Sequence, residues 1–239
     1  MLKIISFTIC PFVQRVTALL EAKQLAYDIE FISLSDKPDW FLKLAPNGQV
    51  PVLVTESGTA LFESDAIVEY IEEAYAPLEA GLTAEQKAIN RAWSYLASKQ
   101  YLVQCSSMRS ADANTYAERS AKMSKAFATI SQHKAAGAYF NGNQLSLVDM
   151  AWLPLLHRAA IIKQNTQVDL LAPWPNLQAW QLALADTGLF AASVANDFAD
   201  KFINFYLAET TYLGQLSRNG APASQSEERA CEASVGGCC

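Results

Sequence analysis

The sequence predicts a two-part chain, an α/β unit of order β-α-β-α-β-β-α over residues 1–76 and an all-helical bundle over about 82–210. Three observations carry this prediction. Within the first twenty residues an apolar, β-branched run gives way to apolar residues spaced three and four apart. A Pro- and Gly-bearing linker at 77–81 then interrupts all periodicity. Beyond it, each periodic stretch has helical spacing.

Taken in order, Leu2-Lys3-Ile4-Ile5-Ser6-Phe7 reads as a short buried strand. Pro11 opens a helix, because its missing N–H is unpaired in a first turn anyway, and Phe12, Val16, Leu19 and Leu20 form the apolar face. Ala26 to Ile32 alternates as a half-exposed strand, which makes a βαβ unit with parallel strands. One or two helical turns are expected over Ser35–Leu44. Val50–Val54 and Thr59–Phe62 flank Glu56-Ser57-Gly58 as a hairpin, and Glu63-Ser64-Asp65 reads as the cap of a helix from Ala66 to about Ala74.

In the second part, Thr83 caps a long helix to about Ser110, and a further helix runs from Asp112 to about Ala136. Ser146 with Asp149 forms a capping-box-like pair, stapled by Leu145 and Met150, at the start of a nearly all-apolar helix through Ile162. Such a helix belongs at the centre of a bundle, and His157 within it reads as a satisfied core histidine. Trp174-Pro175 starts a helix to about Ala185, and Asp197 to about Ala208 makes the last. Residues 211–239 read as a flexible, cysteine-containing tail.

Composition narrows the function. A chain of 239 residues with 51% hydrophobic and 18% charged residues folds as a globule, and a net charge of −6 argues against nucleic acid as a partner. No apolar run is long enough to span a bilayer, so no membrane role is expected. Of the five cysteines, Cys231, Cys238 and Cys239 crowd the C-terminus, which is not the framework of a disulfide-stapled secreted domain. With two histidines and no clustered Cys/His spacing in the body, no metal site is expected. A reducing cytoplasm is the expected setting.

The chemistry concentrates at Cys10-Pro11-Phe12. Cys10 falls where a strand ends and a helix begins, beside unpaired N–H groups and the positive end of the helix dipole. Such a site can lower a cysteine pKa from about 8.5 into the ~3.5–7.5 range. Farther on, a cis Val50–Pro51 bond would turn the Val50 peptide groups outward, free to pair with an extended peptide. Ser64 and the N–H groups of its helix can hold a carboxylate, Glu63 or Asp65 can face an ammonium, and Lys37 can meet a second carboxylate. A short peptide with an amino acid head, a thiol and a terminal carboxylate fits that set.

These motifs resemble the cytosolic glutathione transferases, most closely the omega class. The resemblance rests on Cys10-Pro11-Phe12 with Gln14-Arg15, Lys37-Pro38-Asp39-Trp40-Phe41, Val50-Pro51-Val52-Leu53 and Glu63-Ser64 followed by Glu69-Tyr70. It is strong over residues 1–76 and weaker to about 210. It implies a thioredoxin-like N-terminal domain, a helical domain forming a second-substrate pocket, and commonly a homodimer. Glutathione is the implied co-substrate, contacted by Phe12, Lys37, Val50, Pro51, Glu63 and Ser64, with Cys10 as catalytic residue.

A cysteine at this position implies a nucleophile that itself forms a mixed disulfide, where a Tyr or Ser would only stabilise the thiolate of glutathione. Glutaredoxins carry a second cysteine three residues on, but here Val13 stands there, so turnover takes a monothiol route. The resemblance therefore implies a glutathione-dependent thiol transferase and dehydroascorbate reductase, acting on a small electrophilic or disulfide substrate. The pocket candidates are Tyr95, Tyr101, Cys105 and Met108, with Phe202, Phe205 and Tyr206 from the last helix. Two alternatives stay open: a transferase or lyase for one aromatic substrate, and a non-catalytic regulator of the same fold, as in stringent starvation protein A.

Overall fold

The computed structural model describes residues 1–219. Its chain begins with β1 (Leu2–Ser6), whose apolar residues are buried, and then α1 (Pro11–Ala22) with Pro11 in the first turn. β2 (Tyr27–Phe31) returns parallel to β1, in a register running from Leu2 opposite Tyr27 to Ser6 opposite Phe31. A short α2 (Asp39–Leu44) leads to β3 (Val52–Val54) and β4 (Ala60–Phe62), joined by a turn in which Gly58 takes a φ of 83° that favours glycine. α3 (Ser64–Ala74) closes the unit. The strand order is β2-β1-β3-β4, with β3 antiparallel to both its neighbours. This is the thioredoxin-like arrangement.

Among the described residues seven helices follow: α4 (Ala84–Met108), α5 (Ala113–His133), α6 (Leu147–Thr166), α7 (Pro175–Asp186), α8 (Leu189–Ala192), α9 (Phe198–Tyr206) and α10 (Tyr212–Asn219). α6 is the axis of this domain, packed against α1, α4, α7, α8 and α10. Its start is built as the sequence predicts. The Ser146 hydroxyl accepts from the Asp149 N–H, and the Asp149 carboxylate accepts from the Ser146 N–H at 2.8 Å. The same carboxylate takes the Phe140 N–H at 2.9 Å and the Trp180 indole N–H at 2.6 Å, so a fully buried acid has its oxygens satisfied. Burial still raises its pKa above the usual carboxylate range.

A single apolar cluster runs from β1 and α1 through Tyr101 of α4 into α6 and Trp180 of α7, so the two domains share a core. A second cluster gathers Ile9, Cys105, Met108, Phe198, Phe202 and Tyr206. Cys10 lies where the two meet in sequence, and its position at the domain seam follows from that packing.

Four sequence expectations need correction. The expected cap Glu63-Ser64-Asp65 narrows to Glu63, with a φ of 67°, and the helix starts at Ser64, two residues before the expected Ala66. The helix expected from Asp197 to Ala208 is shorter, and a turn of helix, α8, precedes it. It is also not the last. Residues 212–219, assigned to the flexible tail, form α10, because Leu213 is an apolar anchor that buries completely and α10 packs against α6. The rest of that tail, with Cys231, Cys238 and Cys239, lies outside the described residues.

Candidate active site

The site is assembled from the turn after β1, the loop that leads into β3 and the turn after β4, with the starts of α1 and α3. Cys10 is the N-cap residue of α1, with extended backbone, φ −73° and ψ 123°. Its N–H closes a turn onto the Phe7 carbonyl at 3.1 Å, and its carbonyl accepts the Gln14 N–H at 3.1 Å. The first helical N–H groups thus stand near its side chain, and with them the positive dipole end. Cys10 is disulfide-bonded and 2% exposed here, so thiol chemistry begins with its reduction.

A cavity of about 140 Å³ is lined by Phe12, two residues after Cys10, with Asn47, Gln49, Val50, Pro51, Glu63, Ser64 and Leu102; Cys10 itself does not line it. Five of the predicted contacts therefore share one wall. The Val50–Pro51 bond is cis. β3 begins only at Val52, and the Val50 peptide groups take no backbone partner among the described residues, leaving a donor and an acceptor on the cavity side of the sheet.

At α3 the first helical hydrogen bond runs from the Ile67 N–H to the Glu63 carbonyl, so the earlier N–H groups have no partner within the helix. Ser64 is nearly buried beside them. The positive φ of Glu63 is strained for a residue with a Cβ, and it sets the Glu63 side chain outward, where the Asn47 amide donates to it at 2.8 Å. Asp65 is engaged differently. It accepts from the buried Arg15 guanidinium of α1 and braces the start of α3 against α1. Lys37 does not line the cavity, although its ammonium is close enough to Gly48 that a Cβ there would meet it at 3.8 Å.

The residues proposed for the second-substrate pocket separate. Tyr101 is fully buried, its hydroxyl donating to the Ala151 carbonyl at 2.5 Å and its ring edge-on to Phe12 with centroids 4.9 Å apart. Burial pushes its hydroxyl pKa up. Cys105 and Met108 are buried in the second cluster, where the Tyr206 hydroxyl donates to the Cys105 sulfur at 3.1 Å. Phe202 is buried too, whereas Tyr95 and Phe205 are exposed. From α4 the cavity takes Leu102. Sequence reasoning missed it, though an apolar residue on the polar side of a long helix was the available signal.

A second cavity, of about 370 Å³, lies by the linker between α3 and α4 and is lined by Glu69, Glu72, Glu73, Glu79 and Arg91 among others. It is larger, but it shares no lining residue with the cavity that Phe12 lines.

The comparisons agree with this geometry. Residues 9–74 match the family model described as "Glutathione S-transferase, N-terminal domain", and residues 113–180 match "Glutathione S-transferase, C-terminal domain", together more than half of the chain. The chain belongs to the glutathione transferase family. It is 33% identical over 156 residues to "Probable glutathione S-transferase DHAR1, cytosolic" of Oryza sativa subsp. japonica, covering 65% of this chain and 70% of that protein. To "Glutathione S-transferase omega-1" of Rattus norvegicus it is 28% identical over 216 residues, 87% of each chain. Among solved structures, glutathione transferase Omega 3C from Trametes versicolor superposes with a TM-score of 0.70 at 27% identity, covering 82% of this chain and 89% of that one.

A polar junction that the sequence did not reveal lies behind the Cys10 turn. The Gln14 side chain of α1 accepts from Arg158 Nη1 at 2.5 Å, and its amide nitrogen reaches His157 Nδ1 at 2.8 Å and Ser193 Oγ at 3.2 Å. His157 is stacked between Phe190 and Phe198, and burial, then the Arg158 charge, lowers its pKa to about 3. The neutral ring keeps Nδ1 as an acceptor for the glutamine amide. The bland reading of His157 as a satisfied core residue matches these contacts.

Proposed function

We propose that this glutathione transferase is a glutathione-dependent thiol transferase and reductase of the omega type, with Cys10 as nucleophile. The observation that carries the reading is Cys10 at the N-cap of a proline-initiated helix whose Phe12 walls a cavity with the cis Val50–Pro51 step and the N-terminus of α3. Residues 1–76 are the glutathione-binding domain and 82–210 the domain that shapes the second-substrate side. The protein acts in the cytoplasm as a homodimer. Among the described residues no helix is long and apolar enough to cross a membrane, and no group of side chains could hold a metal ion.

Glutathione lies along the cavity with its cysteinyl backbone paired to the Val50 N–H and C=O, as a strand would pair. Its γ-glutamyl carboxylate sits on Ser64 and the unpaired N–H groups of α3, where the dipole favours negative charge. Glu63 accepts from the ammonium, and Lys37 meets the glycyl carboxylate. The Cys10 thiolate attacks the glutathionyl sulfur of a mixed disulfide, takes the glutathionyl group and releases the substrate as a thiolate. A second glutathione thiolate then attacks the Cys10 adduct, leaving as oxidised glutathione and restoring the Cys10 thiolate. Val13 stands where a resolving cysteine would be, which supports this two-glutathione sequence. In dehydroascorbate reduction the Cys10 thiolate adds to a carbonyl carbon, one glutathione thiolate attacks the Cys10 sulfur to release ascorbate and leave the Cys10–glutathione disulfide, and a second glutathione thiolate releases oxidised glutathione and the Cys10 thiolate.

The test is site-resolved mass spectrometry of the reduced full-length chain after brief exposure to oxidised glutathione. The peptide containing Cys10 should gain one glutathionyl group that reduced glutathione removes. In parallel, Cys10→Ala should lose thiol transfer while keeping its thermal transition. Thiol transfer retained by Cys10→Ala would overturn the assignment.

A further inference from the structure

Resting on the reading of Cys10 as nucleophile, we propose that Arg158, carried by α6 in the helical domain, is a positioning residue that fixes the turn presenting Cys10. Among the peptide groups of this turn, the Ile9 carbonyl lies between the Phe7–Cys10 turn bond and the first helical bond, and takes neither. Arg158 Nη2 donates to it at 2.9 Å. The other arm, Nη1, donates to Gln14 Oε1 at 2.5 Å and to the Pro154 carbonyl at 3.0 Å. One rigid fork thus holds the peptide just before Cys10 and the side chain one helical turn after it.

The arrangement is more than filling. Arg158 is fully buried, and taking a guanidinium out of water is costly where an aliphatic side chain would fill the same space. What the charge supplies is a donor pair that Leu or Met lacks, and a positive group against the carbonyl attached to the Cys10 nitrogen, whose dipole would otherwise set its negative end near a thiolate. The Phe198 ring lies 5.5 Å from the guanidinium carbon. Among the described residues, two other cations near the turn are engaged elsewhere. Arg15 of α1 pairs with Asp65 of α3, and Lys201 of α9 pairs with Asp197 while donating to Thr8 at 3.2 Å. His157 of α6 is neutral.

The experiment measures the alkylation rate of Cys10 by iodoacetamide in the pre-reduced full-length chain, read on the Cys10 peptide across pH, for wild type, Arg158→Lys and Arg158→Met. Affinity for S-methylglutathione, which needs no thiolate, is measured alongside. Arg158→Met should raise the apparent pKa of labelling by about one unit and, at pH values below the wild-type labelling pKa, label about tenfold more slowly. Arg158→Lys, which keeps the charge without the fork, should fall between the two, and analogue affinity should stay within about twofold throughout. Wild-type labelling in a folded Arg158→Met chain overturns the proposal. If that variant does not fold, wild-type rate and pKa in Arg158→Lys overturn it, because the lysine cannot hold both acceptors. Failure of Cys10 to take a glutathionyl group in the wild type would instead sink the reading of Cys10 itself.

Discussion

Asp149 and Arg158 both lie on α6 and both bring a charged group into the interior with no exposed surface, yet their surroundings are opposite in kind. Asp149 is satisfied by its own domain: the Ser146 N–H and hydroxyl, the Phe140 N–H and the Trp180 indole. Arg158 reaches out of its domain to Ile9 and Gln14. The acid fixes where a helix starts, and the base fixes how two domains meet behind Cys10. A buried charge alone says little about its purpose; the address of its partners says more.

The contrast can be broken most directly at Asp149. Asp149→Ala leaves four buried donors without their carboxylate acceptor and should cost about 3–5 kcal/mol in urea denaturation. The fraction that folds should still label at Cys10 at the wild-type rate. Slower labelling would mean that the two charges are not separable.

Acid titration sharpens the other side of the comparison. Unfolded, His157 takes a proton near its ordinary pKa of 6.5, whereas folded it resists until about 3. Between those values the unfolded chain binds more protons, so stability falls as pH falls. From pH 7 to pH 5 this group should account for about 2 kcal/mol. Asp149, with its raised pKa, acts in the opposite sense, so the measurement is the difference between wild type and His157→Gln. Equal slopes in the two proteins would place the neutral imidazole outside the junction.

The smallest effect belongs to a capping box in water. Thr83 and Gln86 at the start of α4 repeat the reciprocal geometry of Ser146 and Asp149, but at the exposed surface. Thr83→Ala should cost about 1 kcal/mol by the same denaturation measurement. A loss as large as that of Asp149→Ala would show that burial adds nothing to the motif.

What could be read from the sequence divides along the same line. The Cys10–Pro11 helix start, the parallel βαβ unit and the Ser146–Asp149 box depend on residues close together in the chain, where spacing carries the physics. The cavity wall was legible in part, because Val50-Pro51 and Glu63-Ser64 each sit in a turn with its own signal. The start of α3 falls two residues before the expected Ala66, since a Ser/Asp capping preference says nothing about a glutamate held at positive φ by its tertiary setting. Gln14, His157 and Arg158 gave no local sign of meeting, and α10 was hidden by a polar sequence around one buried leucine.

The two contacts that hold the Cys10 turn from behind close very long loops: 149 residues from Ile9 to Arg158 and 193 from Thr8 to Lys201. On the ribosome, a chain growing at about 5–20 residues per second completes β1 to α3 before either partner has been made. The sheet and its first helices need only each other. The surroundings of Cys10, though it stands tenth in the chain, are therefore among the last parts of the molecule to be finished.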